Sequence, residues 1–420
     1  MPTRFILAAS IGLCLAAPRP STAEPIYISF VWHMHQPIYW PGESVVETAA
    51  AAHYGFDVVT VHTDRSGPYT SWPSDAVGAL RAAGLGRAGA QVSFSGSLME
   101  NLDALEAAGR GFSGWKTPWR TAATWLTDGG HPAVDLVNFV YFHPLSALIP
   151  REDLVFQLRL RARAVERRFP GYPASHGLFP PETAFGETII PALRDAGVEW
   201  VVVDNVHFDR TLADYPYVPG SNLVPPNPAD QSNAAAVDWV QLSGIWAPSR
   251  VAVPWGYQPH RARYVDPATG EASELVVVPG ARYEGNEDAR GGFGALNYDA
   301  VLSQLEPYNT DPDHPMLIVL HHDGDNYGGG ADSYYHSNFA GFVSWLLAEP
   351  TRFQAITIEE YLERFPPAAG DVIHVEDGSW SGADNGDPEF LKWNGDPAAD
   401  GYSPDRTSWA VMTAAVNRLH

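Results

Sequence analysis

Short apolar runs recur along the chain, and each ends in a polar cluster that gives way to a helical pattern. Ile26 to Trp32 (IYISFVW) leads into His33-Met34-His35-Gln36-Pro37, and Gln91 to Phe94 leads into SGSLMENL. Val137 to Phe142 leads into His143-Pro144, and His176 to Phe179 leads into PPETAF. From Gly186 to Ala196, Ile189, Ile190 and Leu193 fall at helical spacing, and Gly197 supplies the stop before the next strand, Val198 to Val203. Glu274 to Val278 runs into PGARYEGNEDARGG, and Met316 to Leu320 into HHDGDNYGGG. Runs without apolar–polar alternation imply strands buried on both faces, and intervening helices imply a parallel sheet. The pattern predicts an α/β protein, a parallel barrel of (β/α) repeats with its chemistry at the C-terminal strand ends.

The flanks read differently. Arg4 followed by the apolar run Phe5 to Ala17 and the small residues Ser21-Thr22-Ala23 has the form of a secretory signal peptide, 1–23, cut before Glu24. Secretion or periplasmic export is therefore expected. Asp214 to Asn233 carries five prolines and no period, as a long surface loop would. The barrel is expected over 24–365. Pro366-Pro367 then opens a Gly/Asp/Trp-rich segment, 366–420. Within it Ser403-Pro404-Asp405 starts a C-terminal helix with Trp409, Met412, Val416 and Leu419 on one face.

Composition narrows the function. With 26 Lys and Arg against 49 Asp and Glu, the net charge is −23, a field that repels nucleic acid and anionic membranes. The single cysteine, Cys14, lies inside the signal segment, which removes disulfides and thiolate zinc sites from the remainder. Among chemistry-bearing residues, Glu182 sits just beyond a strand end behind Pro180-Pro181, where a carboxylate can be fixed at a barrel mouth. The alternative is an ordinary acidic first-turn residue. Asp323 and Asp325 flank Gly324 after another strand, either as a functional acidic pair or as a solvated turn. His33 and His35, two apart on a strand end, point the same way and form a candidate metal pair with Asp323, as in a metal-dependent hydrolase or deacetylase. Neutral histidines and Gln36 equally suit sugar hydroxyls. Fourteen tryptophans, Trp255 and Trp380 among them, offer flat rings for sugar faces, though most tryptophans serve cores.

Taken in order, WHMHQPIYW, GSLMENL, YFHPL, PPETAF, HHDGD and GSW with a later KW resemble glycoside hydrolase family 57 over residues 26 to 395. The resemblance implies an incomplete (β/α)7-type barrel followed by a helical segment, with retaining action on α-linked glucans or related α-glycosides. It implies Glu182 as nucleophile and Asp323 as acid/base. His33, His35, Gln36 and His143 would then lie near the reactive sugar. Trp255, Trp380 and Asp325 complete the candidate substrate contacts, with Asp325 as competitor for the acid/base role. The expected partner is an oligo- or polysaccharide, with no cofactor and no metal. A sugar-binding relative without activity is the other reading.

Overall fold

The computed structural model describes residues 24–219, 223–290, 296–326, 330–381, 385–395 and 403–419. Residues 1–23, the expected signal segment, lie outside them. Fourteen strands are described in chain order: β1 (Ile26–Met34), β2 (Ala90–Phe94), β3 (Val134–Asp135), β4 (Gly177–Leu178), β5 (Trp200–Asp204), β6 (Asp238–Val240) and β7 (Val251–Val253). They continue as β8 (His260–Val265), β9 (Ala272–Gly280), β10 (Leu317–Asp323), β11 (Phe353–Ala355), β12 (Val372–Ile373), β13 (Gly378–Ser381) and β14 (Asn385–Pro388).

Parallel pairing runs β3–β2–β1–β10–β9–β5–β4. The circuit closes through one parallel bridge between Asn138 and Leu178. Seven parallel strands thus ring the molecule, weakly joined between β3 and β4, as an incomplete barrel requires. Every residue of β1 is buried, because its two faces serve two cores. Ile26, Ile28, Phe30 and Trp32 pack outward with helix residues such as Leu98, Phe339 and Phe342. Tyr27 and Val31 join the other core with Val201, Leu317 and Val319. His33 continues this second row, which sends its ring toward the mouth.

Some expected elements shrink. The apolar stretch Val137 to Phe142 forms no strand; the pairing residues are Val134–Asp135, and only Asn138 bridges onward. Val137, Phe139 and Val140 are buried as side chains, so their hydrophobicity reports burial and not a ladder. The segment after Gly186 opens as a 3₁₀ turn, Glu187–Ile189, and becomes α-helical only at Ile190–Asp195, with a proline in its first turn. Gly197 then adopts φ +84°, which stops the helix as its type allows.

The chain after Phe365 returns to the barrel. β12 pairs with β8, and β13 and β14 form an antiparallel hairpin whose Gly378 bridges Phe185. The final helix, Pro404–Val416, is capped by Ser403, whose hydroxyl accepts from the Arg406 amide. Trp409 Nε1 donates to the Trp393 carbonyl at 3.0 Å. Met412 and Leu419 are exposed instead of packed. Among the described residues no helix is long and apolar enough to cross a membrane.

Candidate active site

Glu182 sits in a turn that few residues adopt. Glu182 and Thr183 have φ of 56° and 52°, the left-handed region that costs a side-chain-bearing residue of order 1–3 kcal/mol. The turn survives because the β13 hairpin clamps it. The Phe185 amide donates to the Gly378 carbonyl at 2.9 Å, the Gly378 amide returns the bond at 3.0 Å, and the Trp380 amide donates to Thr183 Oγ1 at 3.0 Å. The Trp380 indole N–H then donates to Glu182 Oε2 itself. Strain is thereby held at one carboxylate.

Asp323 ends β10, directly opposite His33 of β1 in the parallel register. It and Glu182 line one cleft of about 280 Å³ with Arg282, Asn286, Ala289, His322, Asn326 and Trp380. Asp323 is exposed toward this cleft at the end of an otherwise buried strand. Burial, followed by the charge of Asp325, pushes its pKa up to about 6. Burial also raises Glu182, against which the Trp380 indole N–H favours the ionised form. The two carboxyls are thus differently equipped. Each faces a like charge, Glu182 that of Asp323 and Asp323 that of Asp325, but only Glu182 holds a donor aimed at its charge.

The histidines form one stack beside Glu182. His33 Nδ1 pairs with Ser93 Oγ at 2.8 Å, and its Nε2 meets His143 Nε2 at 3.1 Å. His35 Nδ1 pairs with Ser95 Oγ at 2.9 Å, and its ring stacks on His143 with centroids 4.0 Å apart. His143 Nε2 lies 3.8 Å from Glu182 Oε1. Burial holds His33 and His35 well below their usual range, and holds His143 at about 4. Neutral imidazoles result, so the His143–Glu182 contact is not an ion pair. Like Glu182, His143 has a left-handed backbone, φ 63°. Among the described residues no group of three or more His, Cys, Asp or Glu side chains is arranged to hold a metal ion.

Three candidates lie elsewhere. Trp255 is not brought to this cleft: the turn Trp255–Tyr257 lays its ring against His260, with centroids 4.2 Å apart. Gln36 and Asp325 are directed into a separate network. Tyr39 Oη donates to Gln36 Oε1 at 2.6 Å, Gln36 Nε2 donates to Tyr69 Oη at 3.0 Å, and Tyr69 Oη donates to Asp325 Oδ2 at 2.6 Å. Asp323, not Asp325, therefore shares the cleft with Glu182.

Sequence reasoning passed over Arg282. Its guanidinium lies 5.0 Å from the centre of the Trp380 ring and 3.9 Å from Asp204 Oδ1. The signal was available, since an arginine four residues past the expected strand Glu274 to Val278 stands at a barrel mouth in a chain poor in cations. Tyr69 gave no such signal, because nothing local marks its partner 256 positions away.

A family model described as Glycosyl hydrolase family 57 matches residues 129–231. An alpha-amylase of Niallia circulans is 33% identical over 356 residues, covering 79% of this chain and 26% of the relative. A 4-alpha-glucanotransferase of Thermococcus litoralis is 22% identical over 237 residues, covering 56% of this chain and 28% of the relative. The chain thus spans little more than a quarter of the length of these relatives. Among solved structures, the Thermococcus litoralis 4-alpha-glucanotransferase superposes with a TM-score of 0.53 at 18% identity, covering 85% of this chain and 43% of that one. A branching enzyme of Thermococcus kodakaraensis gives 0.54 at 14% identity, covering 91% and 77%. At these identities the superpositions speak for the fold.

Proposed function

The chain belongs to glycosyl hydrolase family 57, and from that premise we propose that it cleaves α-linked glucans or related α-glycosides with retention at the anomeric carbon. In this reading Glu182 attacks the anomeric carbon while Asp323 gives its proton to the leaving oxygen. Asp323 then takes a proton from the incoming water or sugar hydroxyl as that group displaces Glu182. Hydrolysis and glucan transfer share the first half of this sequence and differ in the incoming group.

The observation that carries the reading is the pairing of two unlike carboxyls in one cleft. Glu182 has the Trp380 indole N–H on its oxygen and Asp323 has none of that support but a neighbouring negative charge. A nucleophile must be ionised and a general acid protonated. The Trp380 N–H favours the ionised form of Glu182 against the burial and the Asp323 charge that raise it, while burial and the Asp325 charge favour the proton on Asp323. Neutral His33, His35 and His143 add hydrogen-bonding nitrogens beside the nucleophile without adding a charge. The names of the relatives, alpha-amylase and 4-alpha-glucanotransferase, support an α-glucan as the substrate class. Export is also proposed, on the signal-like pattern of residues 1–23, and would leave Glu24 as the first residue of the exported protein in N-terminal sequencing.

Release of reducing sugar from a panel of α-glucans and α-galactosides tests the activity. Glu182→Gln keeps the size of the side chain and should cost at least about 10³-fold in kcat, the scale of an essential group. Equal rates for the two proteins would overturn the assignment.

A further inference from the structure

We propose that Asp204, at the C-terminal end of β5, is a positioning residue for the nucleophile: through His321 and Arg282 it fixes the Trp380 indole whose N–H holds Glu182. The inference rests on the reading of Glu182 as the nucleophile.

The geometry starts where three barrel elements meet. Asp204 closes β5, His321 lies two residues before Asp323 on β10, and Arg282 opens the helix Arg282–Asp288 that follows β9. Asp204 and His321 are fully buried, and Arg282 is nearly so. His321 Nε2 lies 2.6 Å from Asp204 Oδ1 and so carries a proton toward it, while Arg282 Nη1 stands 3.9 Å from the same oxygen. The next residue, Asn205, holds the Arg282 backbone: its Oδ1 accepts from the Arg282 amide at 3.2 Å. Gly280, which ends β9, leaves room for the imidazole, since a Cβ there would lie 2.7 Å from His321 Cε1. One carboxylate thus orients an imidazole on β10 and a guanidinium beyond β9, and it supplies the counter-charge that a buried guanidinium requires.

Both of these groups rest on Trp380. The guanidinium stands 5.0 Å from the centre of the indole, and the His321 ring is stacked at 20° with centroids 5.9 Å apart. A cation over a ring and a flat ring contact hold an indole against rotation. Phe179 adds an edge contact at 5.8 Å, so the seat does not depend on Asp204 alone. A hydrogen bond weakens steeply as its angle departs from linear, so the angle of the indole decides how well its N–H serves Glu182. Neither Asp204 nor His321 is among the residues that line the cleft. Their contribution to the reaction therefore passes through the ring.

The test is a double-mutant cycle on kcat with Asp204→Asn, His321→Gln, Trp380→Phe and the two double variants, with circular dichroism to verify folding and Glu182→Gln as reference. Asp204→Asn keeps an acceptor for His321 and removes the charge beside Arg282. It should lower kcat about 10-fold, no more than Trp380→Phe does, with KM within about twofold. His321→Gln keeps a donor for Asp204 and removes the stacked ring, so kcat should fall in the same way. In the Trp380→Phe background no indole donor is left to position, and either substitution should cost less than about twofold. A folded Asp204→Asn protein with wild-type kcat, or losses that multiply in the double variants, overturns the proposal. Where Asp204→Asn does not fold, the same two outcomes for His321→Gln do so. If Glu182→Gln itself keeps wild-type activity, the underlying nucleophile reading fails instead.

Discussion

At the residue scale the account depends on what each oxygen of Glu182 meets. One oxygen accepts the Trp380 indole N–H and the other lies 3.8 Å from neutral His143. Trp380→Phe keeps a ring over Arg282 and removes the donor. A hydrogen bond to a charged group contributes about 1.5–3 kcal/mol, so kcat should fall roughly 10- to 100-fold. Because the indole N–H favours the ionised form, its loss raises the Glu182 pKa further. The acidic limb of kcat/KM should therefore move to higher pH, and an unshifted limb would argue that Trp380 serves only to shape the cleft. Glu182 and Asp323 were visible in sequence because strand ends in a parallel barrel converge. The indole donor was not, because Trp380 lies 198 positions away and reaches Glu182 only through a hairpin that closes over the barrel.

At the element scale, β1, β5 and β10 coincide closely with uninterrupted apolar stretches, since both of their faces are covered. β9 begins two residues before the expected run, with its first three residues exposed or half-buried, and β4 lies within the expected run His176 to Phe179. β3 has two residues, too short to leave a period, and Val137 to Phe142 is buried without pairing. The expected loop Asp214 to Asn233 carries no helix or strand in its described residues, 214–219 and 223–233, but its anchorage came only with the structure. Asn233 Nδ2 donates to the His374 carbonyl at 2.7 Å, and the His374 ring lies 3.0 Å from Glu187 and 3.2 Å from Asp230. Glu187, with Asp230 beside it, raises the His374 pKa to about 9. A histidine whose pKa rises on folding stabilises the fold fully below its unfolded value of about 6.5, and that contribution fades as pH climbs through 9. The Tm difference between wild type and His374→Ala should thus be largest near pH 6 and should shrink by pH 9.5. A difference independent of pH would mean that packing, and not charge, holds the loop.

At the scale of the whole molecule, the candidate cleft draws on the chain from Glu182 to Trp380 of the β13 hairpin, so the segment beyond Phe365 contributes to it. Val375 and Trp380 are buried in the inner core with Val203 and Phe179. The final helix touches little beyond the small cluster of Trp393 and Phe390. Two truncations separate these roles. Ending the chain after Gly395 removes the exposed helix and should leave kcat within about twofold, since surface changes away from core and site cost little. Ending it after Phe365 removes the clamp on the strained Glu182 turn and should abolish activity. Inactivity of the first protein, if folded, would place the final helix in the function.

As the proposed nucleophile, Glu182 forms a covalent bond to the sugar, and that bond can be trapped. A fluorinated α-glucoside that reacts quickly and releases slowly should accumulate the glycosyl-enzyme. Intact-mass measurement should then show one added glycosyl unit per chain, and peptide mapping should place it on Glu182, with no adduct on Glu182→Gln. Turnover of the α-glucan without any adduct on the wild type, or an adduct mapped to Asp323 or Asp325, would contradict the account.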